Sequence, residues 1–478
     1  MRVAPLLLLS LTSVAFSQPD LDTVARIQDE GKNRSQAMKL LRHLSVKIGT
    51  RLSTSHNLDN AYNWTQKTFK YFGCKNVKLE QWGEWPVGFQ RGKSWGKMLG
   101  DSARTFEFTT PAWTEGTKGA KIGRAVLAPR TRADFDRVKD SLKGAWLIYA
   151  TPPPRLPRPR PGTEAPPISP EMQAALDLQK AISAAGILGT VQGSNNELVI
   201  TSGSWQGKTF EEHPKDVSVT VRKSDMEAIV KALEGPKPVE LEFNLNNQWI
   251  KGPRKLYNVI AEIPGTTKPD EVVIVGGHLD TWDGPGSQGA ADNGTGITAA
   301  MEAARILNKA GAKPDRTIRF VLFTGEEQGL YGSREYVKQH ASELSKISCV
   351  FIEDGGANPE SGTYALPSMV PFLQVIADLN NKAFPELPMK IRTVERMPRG
   401  GGSDHAPFNQ VGVPAFFWDE EGTQNYTFIH HTQNDRIEFV PEHYMVQSAV
   451  NEAVTAYVMA TIPEMMPRDV PPTTTATP

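Results

Sequence analysis

Cysteine is nearly absent from this chain, with only Cys74 and Cys349 among 478 residues. That excludes a disulfide-built scaffold and a four-cysteine zinc finger. Net charge is absent too, because 53 Lys and Arg balance 53 Asp and Glu. Nucleic-acid binders and polybasic membrane binders depend on excess positive charge, so neither kind of partner is expected. Past the first residues no long uninterrupted apolar run occurs, so no stable membrane insertion is expected. Low complexity is also missing: 40 Gly and 36 Pro supply turns without dominating the composition. The 39% hydrophobic and 22% charged residues are ordinary for a globular protein. At about 150 residues per domain, the length suggests two or three domains.

The first residues speak to the compartment. Met1-Arg2 lead into the apolar run 5–11, and small residues stand at Ala15 and Ser17. This reads as a secretory signal peptide over 1–17, cut near Ser17 and Gln18. The apolar stretch falls short of the ~20 residues a span needs. The mature chain is therefore expected to be secreted or periplasmic.

Along the chain, Met38, Leu41 and Leu44 lie near helical spacing, and Ala61, Trp64, Phe69 and Phe72 make a second stripe ended by Gly73. Residues 76–81 alternate like a strand. The segment 18–101 is read as the first part of the main domain. Over 102–238 short strand-like runs sit among turns, which predicts a small β-rich inserted domain. Within it nine prolines between Pro152 and Pro170, with Arg155, Arg158 and Arg160, predict an extended exposed loop. From 239 to 465 strands alternate with helices. Strands are predicted at 272–275, 318–323, 350–352 and 413–418. Ile297, Ala300, Met301, Ala304 and Leu307 share one helical face, a helix is expected near 331–340, and another closes the domain over 442–459. This is an α/β pattern with a mainly parallel central sheet flanked by helices. The remainder, 466–478, is expected to be a disordered tail.

Acidic residues and histidines recur just past these strands. The first strand runs into Gly277-His278-Leu279-Asp280, and a glycine-rich loop then carries Asp292-Asn293-Gly294. The second ends in Glu326-Glu327, the third in Glu353-Asp354, and His430-His431 comes later. Ligand sites of open α/β sheets lie outside the carboxyl ends of the strands, so these segments can converge. Carboxylates and imidazoles without thiolate suit a hard-to-borderline divalent cation. Packed so densely, the carboxylates would repel one another unless cations neutralise them. One carboxylate can bridge two ions about 3.5–4 Å apart, as in two-metal hydrolases. A spare carboxylate must then move the proton, and Glu326-Glu327 fit a division into base and ligand. Asp280 could accept the second ring N–H of His278 and fix its tautomer. Taken singly, each residue reads equally as a helix cap or a solvated loop side chain.

The ordered set His278-x-Asp280, Asp292-Asn293, Glu326-Glu327, Asp354 and His431 resembles the M28 zinc exopeptidases. Further resemblance lies in Ile48-Gly49-Thr50-Arg51-Leu52-Ser53, Ser403-Asp404-His405 and Gly412-Val413-Pro414-Ala415. The inserted segment resembles a protease-associated domain. Gly289-Ala290-Ala291-Asp292 and the His-His pair look similar to the carboxypeptidase Q branch of that family. The resemblance implies two zinc ions per chain, with His278 and Asp354 on one, Glu327 and His431 on the other, and Asp292 bridging. It implies Glu326 as general base, Asp280 as the residue orienting His278, and a cis peptide at Asp292–Asn293. Where many aminopeptidases of the family carry a tyrosine before the last metal histidine, this chain has His430. That residue is read either as an oxyanion donor or as a packing neighbour of the site. The stretch 399–405, Arg399-Gly400-Gly401-Gly402-Ser403-Asp404-His405, could form a flexible substrate loop or a plain turn, and Trp282, Trp418 and Phe428 could line a pocket or simply pack.

The function expected is metal-activated hydrolysis of peptide bonds near a free terminus, by an aminopeptidase or dipeptidase acting on peptide substrates, with a homodimer compatible. Alternatives are a carboxypeptidase-type amidohydrolase, a single-zinc cyclotransferase-like relative, and a non-catalytic binding protein on the same scaffold.

Overall fold

A computed structural model describes residues 19–151, 168–213 and 215–469. The signal-peptide expectation, most of the proline-rich loop and residues 470–478 lie outside the described residues. Among the described residues no helix is long and apolar enough to cross a membrane.

The main domain is built on a six-stranded sheet, in the order Lys75–Arg91, Asn247–Ile263, Arg316–Phe323, Lys268–His278, Ile347–Ile352, Ala415–Phe417. The last four strands run parallel. The first two are antiparallel, and the Lys75–Arg91 ladder with Asn247–Ile263 is the longest in the sheet. The mainly parallel expectation thus holds: the four strands that carry the acidic loops are parallel, and the other two form a long antiparallel ribbon.

Side-chain alternation sorts the buried strands between two cores. Val273, Val275, Phe320 and Phe351 join a large core with helices Leu21–Asn33, His56–Phe72, Gly294–Lys309 and Glu442–Thr461. Val272, Ile274, Val321 and Ile352 turn the other way, toward Tyr336, Val337 and Phe408 on helices Tyr331–Gln339 and His405–Gln410. The helix Gly294–Lys309 was expected to bury one face, yet every residue from Gly294 to Leu307 is buried. Its far side is covered by Leu21–Asn33 and Glu442–Thr461. Its two internal charges are matched: Arg305 Nε donates to Glu302 at 2.8 Å and Nη1 to Glu30 at 2.5 Å.

A second sheet of eight strands spans Trp95 to Asn244, with a parallel centre of Lys121–Leu127, Trp146–Tyr149, Gly189–Gly193 and Ser218–Val221. It takes in Trp95–Met98 and Glu240–Asn244, on either side of the segment 102–238, and among the described residues it carries three helices of its own. Trp146, Val191, Val219, Leu241 and Phe243 form its separate core. Residues 466–469 are not a loose tail. Met466 is buried, Arg468 Nη2 donates to the Ile347 carbonyl at 2.7 Å, and Asp469 accepts from Met397 N at 3.0 Å. Cys74 and Cys349 are both free and buried, so they do not pair.

Candidate metal centre

Most predicted site residues sit just past a parallel strand or before a helix, while His430 and His431 follow the short helix Tyr426–Ile429. His278 closes the strand Lys268–His278, and Asp354 follows Ile347–Ile352 by two residues. Asp292 precedes the helix Gly294–Lys309. Its neighbour Asn293 caps that helix, accepting from Gly296 N at 2.9 Å and donating to the Glu353 carbonyl at 2.7 Å. The Asp292–Asn293 peptide is cis, as the resemblance implied.

The five residues expected to bind metal are brought together, and their order in space is informative. His278 Nε2 lies 3.0 Å from Asp354 Oδ1 and 3.4 Å from Asp292 Oδ1. On the opposite side, His431 Nε2 lies 3.2 Å from Asp292 Oδ2 and 3.0 Å from Glu327 Oε2. The two oxygens of Asp292 therefore face two separate donor sets. Glu326 Oε2 stands 4.0 Å from His278 Nε2, beside both sets and part of neither.

The electrostatics show what the cluster wants. Burial opposes a charge on His278, but the Asp354, Glu326 and Asp292 carboxylates outweigh it and hold the imidazole well above its usual range. Burial likewise opposes His431, which Glu327 and Asp292 push up to about 10. Burial, with the charge of Asp292, raises Glu327 to about 7. Burial also raises Glu326 well above the carboxylate range, with Asp354 and Glu327 adding to the rise. Asp292 goes the other way: burial resists, but hydrogen bonds from His278 and His431 pull it far down. In isolation the site gathers protons to offset its carboxylates, and divalent cations would do the same with neutral imidazoles. The donor set of two imidazoles and three carboxylates, with one carboxylate shared, fits a pair of zinc-type ions.

Asp280 departs from its expected contact. The His278 Nδ1 partner is the Asp280 backbone carbonyl at 2.9 Å, while the nearer carboxylate oxygen is 3.9 Å away. That carboxylate accepts from Ser53 Oγ at 3.1 Å and from Glu326 N at 3.3 Å. It braces the turn carrying Glu326 and leaves the tautomer of His278 to the main chain. His430 is more open than His431 and lies 3.9 Å from Asp292 Oδ2. Its ring stacks on His431 at 3.7 Å and on Tyr426 at 4.6 Å. Ser403, Asp404 and His405 are buried at the start of the helix His405–Gln410, so only Gly400–Gly402 remain as an exposed loop. Trp418 is core, stacking on Phe351 and donating to Glu452 Oε1 at 3.0 Å. Trp282 sets its ring edge-on to His431 at 6.2 Å, and Phe428 is exposed and packs on Phe439.

Residue chemistry alone missed four features. Arg51, 0% exposed, donates to the carbonyls of Leu279 at 2.7 Å, Gly289 at 2.8 Å and Gly49 at 3.0 Å. It thereby shapes the loop between His278 and Asp292. Asp435 does the same from the other side, accepting from Ala290 N at 2.9 Å and Ala291 N at 2.6 Å. The phenol of Tyr426 feels Asp292, Asp354 and Glu327, whose charges add to burial in raising its pKa. Behind Asp354, the buried carboxyls of Glu353, Glu360 and Glu452 lie within 4.8 Å of one another. Burial raises all three, Glu353 to about 8.

Residues 258–456 match the model of "Peptidase family M28". The M28 segment covers the strands and loops that carry the site. Across 92% of the chain, carboxypeptidase Q of Mus musculus is 27% identical, covering 88% of that relative. Aminopeptidase YwaD of Bacillus subtilis is 29% identical over half of each chain. The crystal structure of a peptidase M28 precursor from Shewanella amazonensis superposes with a TM-score of 0.66 at 23% identity, covering 95% of this chain and 99% of that one. A zinc aminopeptidase from Bacillus subtilis superposes at 0.54 and 21%, covering 89% and 94%. These two establish the likeness of fold.

Proposed function

We propose that this chain is a secreted two-zinc exopeptidase, cleaving peptide bonds next to a free terminus as an aminopeptidase or dipeptidase. The observation that carries the reading is Asp292, whose two oxygens face His278–Asp354 on one side and Glu327–His431 on the other. His278, Asp354 and Asp292 would hold one zinc, and Glu327, His431 and Asp292 the other. Zinc bound there supplies Lewis acidity and lowers the pKa of a water molecule.

The remaining steps belong to the protein. Glu326, buried beside both donor sets, takes a proton from the attacking water and returns it to the leaving amine. Asp280 fixes Glu326 through its backbone N–H. His430, 37% exposed and 3.9 Å from Asp292, faces the opening and donates to the carbonyl oxygen as charge develops there.

A carboxypeptidase-type reading is favoured by the names of the full-length relatives. It requires a cation for the substrate's carboxylate. Arg51, the guanidinium that senses these carboxylates, is buried and already occupied by carbonyls. The test is Glu326→Gln assayed on aminoacyl anilides and on N-acyl amino acids, with zinc content measured. The expected result is turnover of the anilides by wild type and a loss of about 10²–10⁴-fold in the variant with zinc retained. Full activity of Glu326→Gln removes the base assignment, and turnover of acyl amino acids alone transfers the reading to the carboxypeptidase class.

A further inference from the structure

The inserted sheet reaches the metal centre at the main chain of His431. This histidine has φ +59°, a left-handed conformation that a non-glycine residue holds only when its surroundings impose it. Its carbonyl accepts from Thr201 N at 3.0 Å. Two residues on, Gln433 is gripped at both ends of its amide: Oε1 accepts from Val199 N at 2.9 Å, and Nε2 donates to the Glu197 carbonyl at 2.9 Å. Residues 197, 199 and 201, alternate positions of one segment that follows the inserted strand Gly189–Gly193, thus hold residues 431 and 433.

The same segment touches the other metal loop. Thr201, 3% exposed, lies so close to Gly284 that a Cβ there would sit 2.0 Å from the threonine hydroxyl. Next to it Asp283 is paired with Arg91 at 3.1 Å, both side chains buried, and Arg91 Nη2 also donates to the Thr110 carbonyl at 2.9 Å. Thr109, on the inserted strand Phe108–Thr109, completes the contact with its hydroxyl 3.3 Å from that of Thr201. Among the described residues nothing comparable links the inserted sheet to the side chains of His278 or Asp354, which contact each other and, through His278 Nδ1, the Asp280 carbonyl.

We propose that the segment 197–201 of the inserted domain positions the His431 imidazole, so that the metal held by Glu327 and His431 depends on the inserted domain while the one held by His278 and Asp354 does not. This rests on the two-metal reading above. The inserted domain is then a working part of one half of the centre. A positioning contact of this kind is worth about 10–100-fold in metal affinity. Thr201 and Gln433 are positioning residues, since neither reaches a metal or substrate atom.

The experiment measures zinc affinity of the full-length mature chain in chelator-buffered zinc, without reference to turnover. The Thr201 N–H is the donor to the His431 carbonyl. Thr201→Pro removes it, and Gln433→Leu removes the side-chain grip without changing the backbone. Each is expected to weaken one equivalent by about 10–100-fold and leave the other unchanged. The weakened step should be the one abolished by Glu327→Gln. Circular dichroism of the zinc-free variants checks that they are folded, and should Thr201→Pro fail to fold, Gln433→Leu carries the test. The proposal is overturned if folded Gln433→Leu and Thr201→Pro bind both equivalents normally, or if both equivalents weaken together. Wild type binding fewer than two zinc ions would remove the two-metal reading, and this proposal with it.

Discussion

Replacing Arg51 with methionine should damage the protein more than any single change among the metal-binding residues themselves. The guanidinium is fully buried and makes three hydrogen bonds of 3.0 Å or less, to Gly49, Leu279 and Gly289. Hydrogen bonds to a charged group contribute about 1.5–3 kcal/mol each, so the gross loss is roughly 5–9 kcal/mol. Some is recovered because a buried guanidinium is costly to desolvate: burial holds Arg51 down at about 10 even though Asp435, Asp280, Asp292 and Glu327 favour its charge. Methionine also fills much of the same volume. The net expectation is about 3–5 kcal/mol, the usual cost of removing one side of a buried charge cluster. Arg51→Lys keeps the charge but presents an ammonium that cannot span three carbonyls, so it should lose roughly half as much. Urea unfolding with and without chelator measures both. An Arg51→Met protein within about 1 kcal/mol of wild type in chelator would refute the view that this side chain builds the loop.

Other expectations follow from the same contacts. Chelation should lower Tm, because ligands present only in the folded chain add about 2.7 kcal/mol when zinc stands 100-fold above its Kd; an unmoved Tm would contradict tight binding. His430→Ala should lower kcat by about 100-fold with zinc content intact, and an unchanged kcat would leave Tyr426→Phe as the next variant to examine. Glu360 and Glu452 titrate in the folded chain well above their ordinary value near 4.5. The native state therefore holds protons that the unfolded chain has released, and stability should fall as pH rises above about 4.5 toward the raised values. Glu360→Gln and Glu452→Gln should each flatten that fall in a Tm-versus-pH series, and an unchanged slope would mean that these carboxyls are ionised and paired.

The parallel half of the fold was legible because its strands are short apolar runs buried on both faces, as Val272 to Val275 are, each followed within three residues by an acidic residue or a histidine. The antiparallel half was not. Gly83, Pro86 and Gly88 interrupt the alternation of Lys75–Arg91, and register shifts between Gln81 and Gly83 and between Trp85 and Val87 absorb them. The helix Gly294–Lys309 reads as one-sided because its outer face is Thr, Ala, Glu and Arg, residues that here face other helices. In the site, residue types identified the side chains that converge around Asp292. They could not identify contacts made by the main chain, and for that reason the Asp280 carbonyl was missed in favour of its carboxylate. Arg51 and Asp435 act on backbone groups of a loop more than a hundred residues away, a relation that no local pattern records. Trp95–Met98 and Glu240–Asn244, which flank the segment 102–238, pair with each other in the inserted sheet, a long-range contact that no local pattern records.

Those two strands carry a consequence for how the molecule is assembled. Trp95 pairs with Asn244 and Met98 with Leu241, so the chain leaves the main domain and re-enters it through neighbouring antiparallel strands. About 140 residues intervene between Met98 and Leu241, and the main chain enters and leaves them through the two arms of one hairpin. Bringing the ends of a long loop together costs only about 0.6 kcal/mol for each doubling of its length, and here the ladder itself provides that closure. A whole folded unit can therefore be accommodated between two adjacent points of the ribbon without disturbing the sheet on which the M28 segment is built.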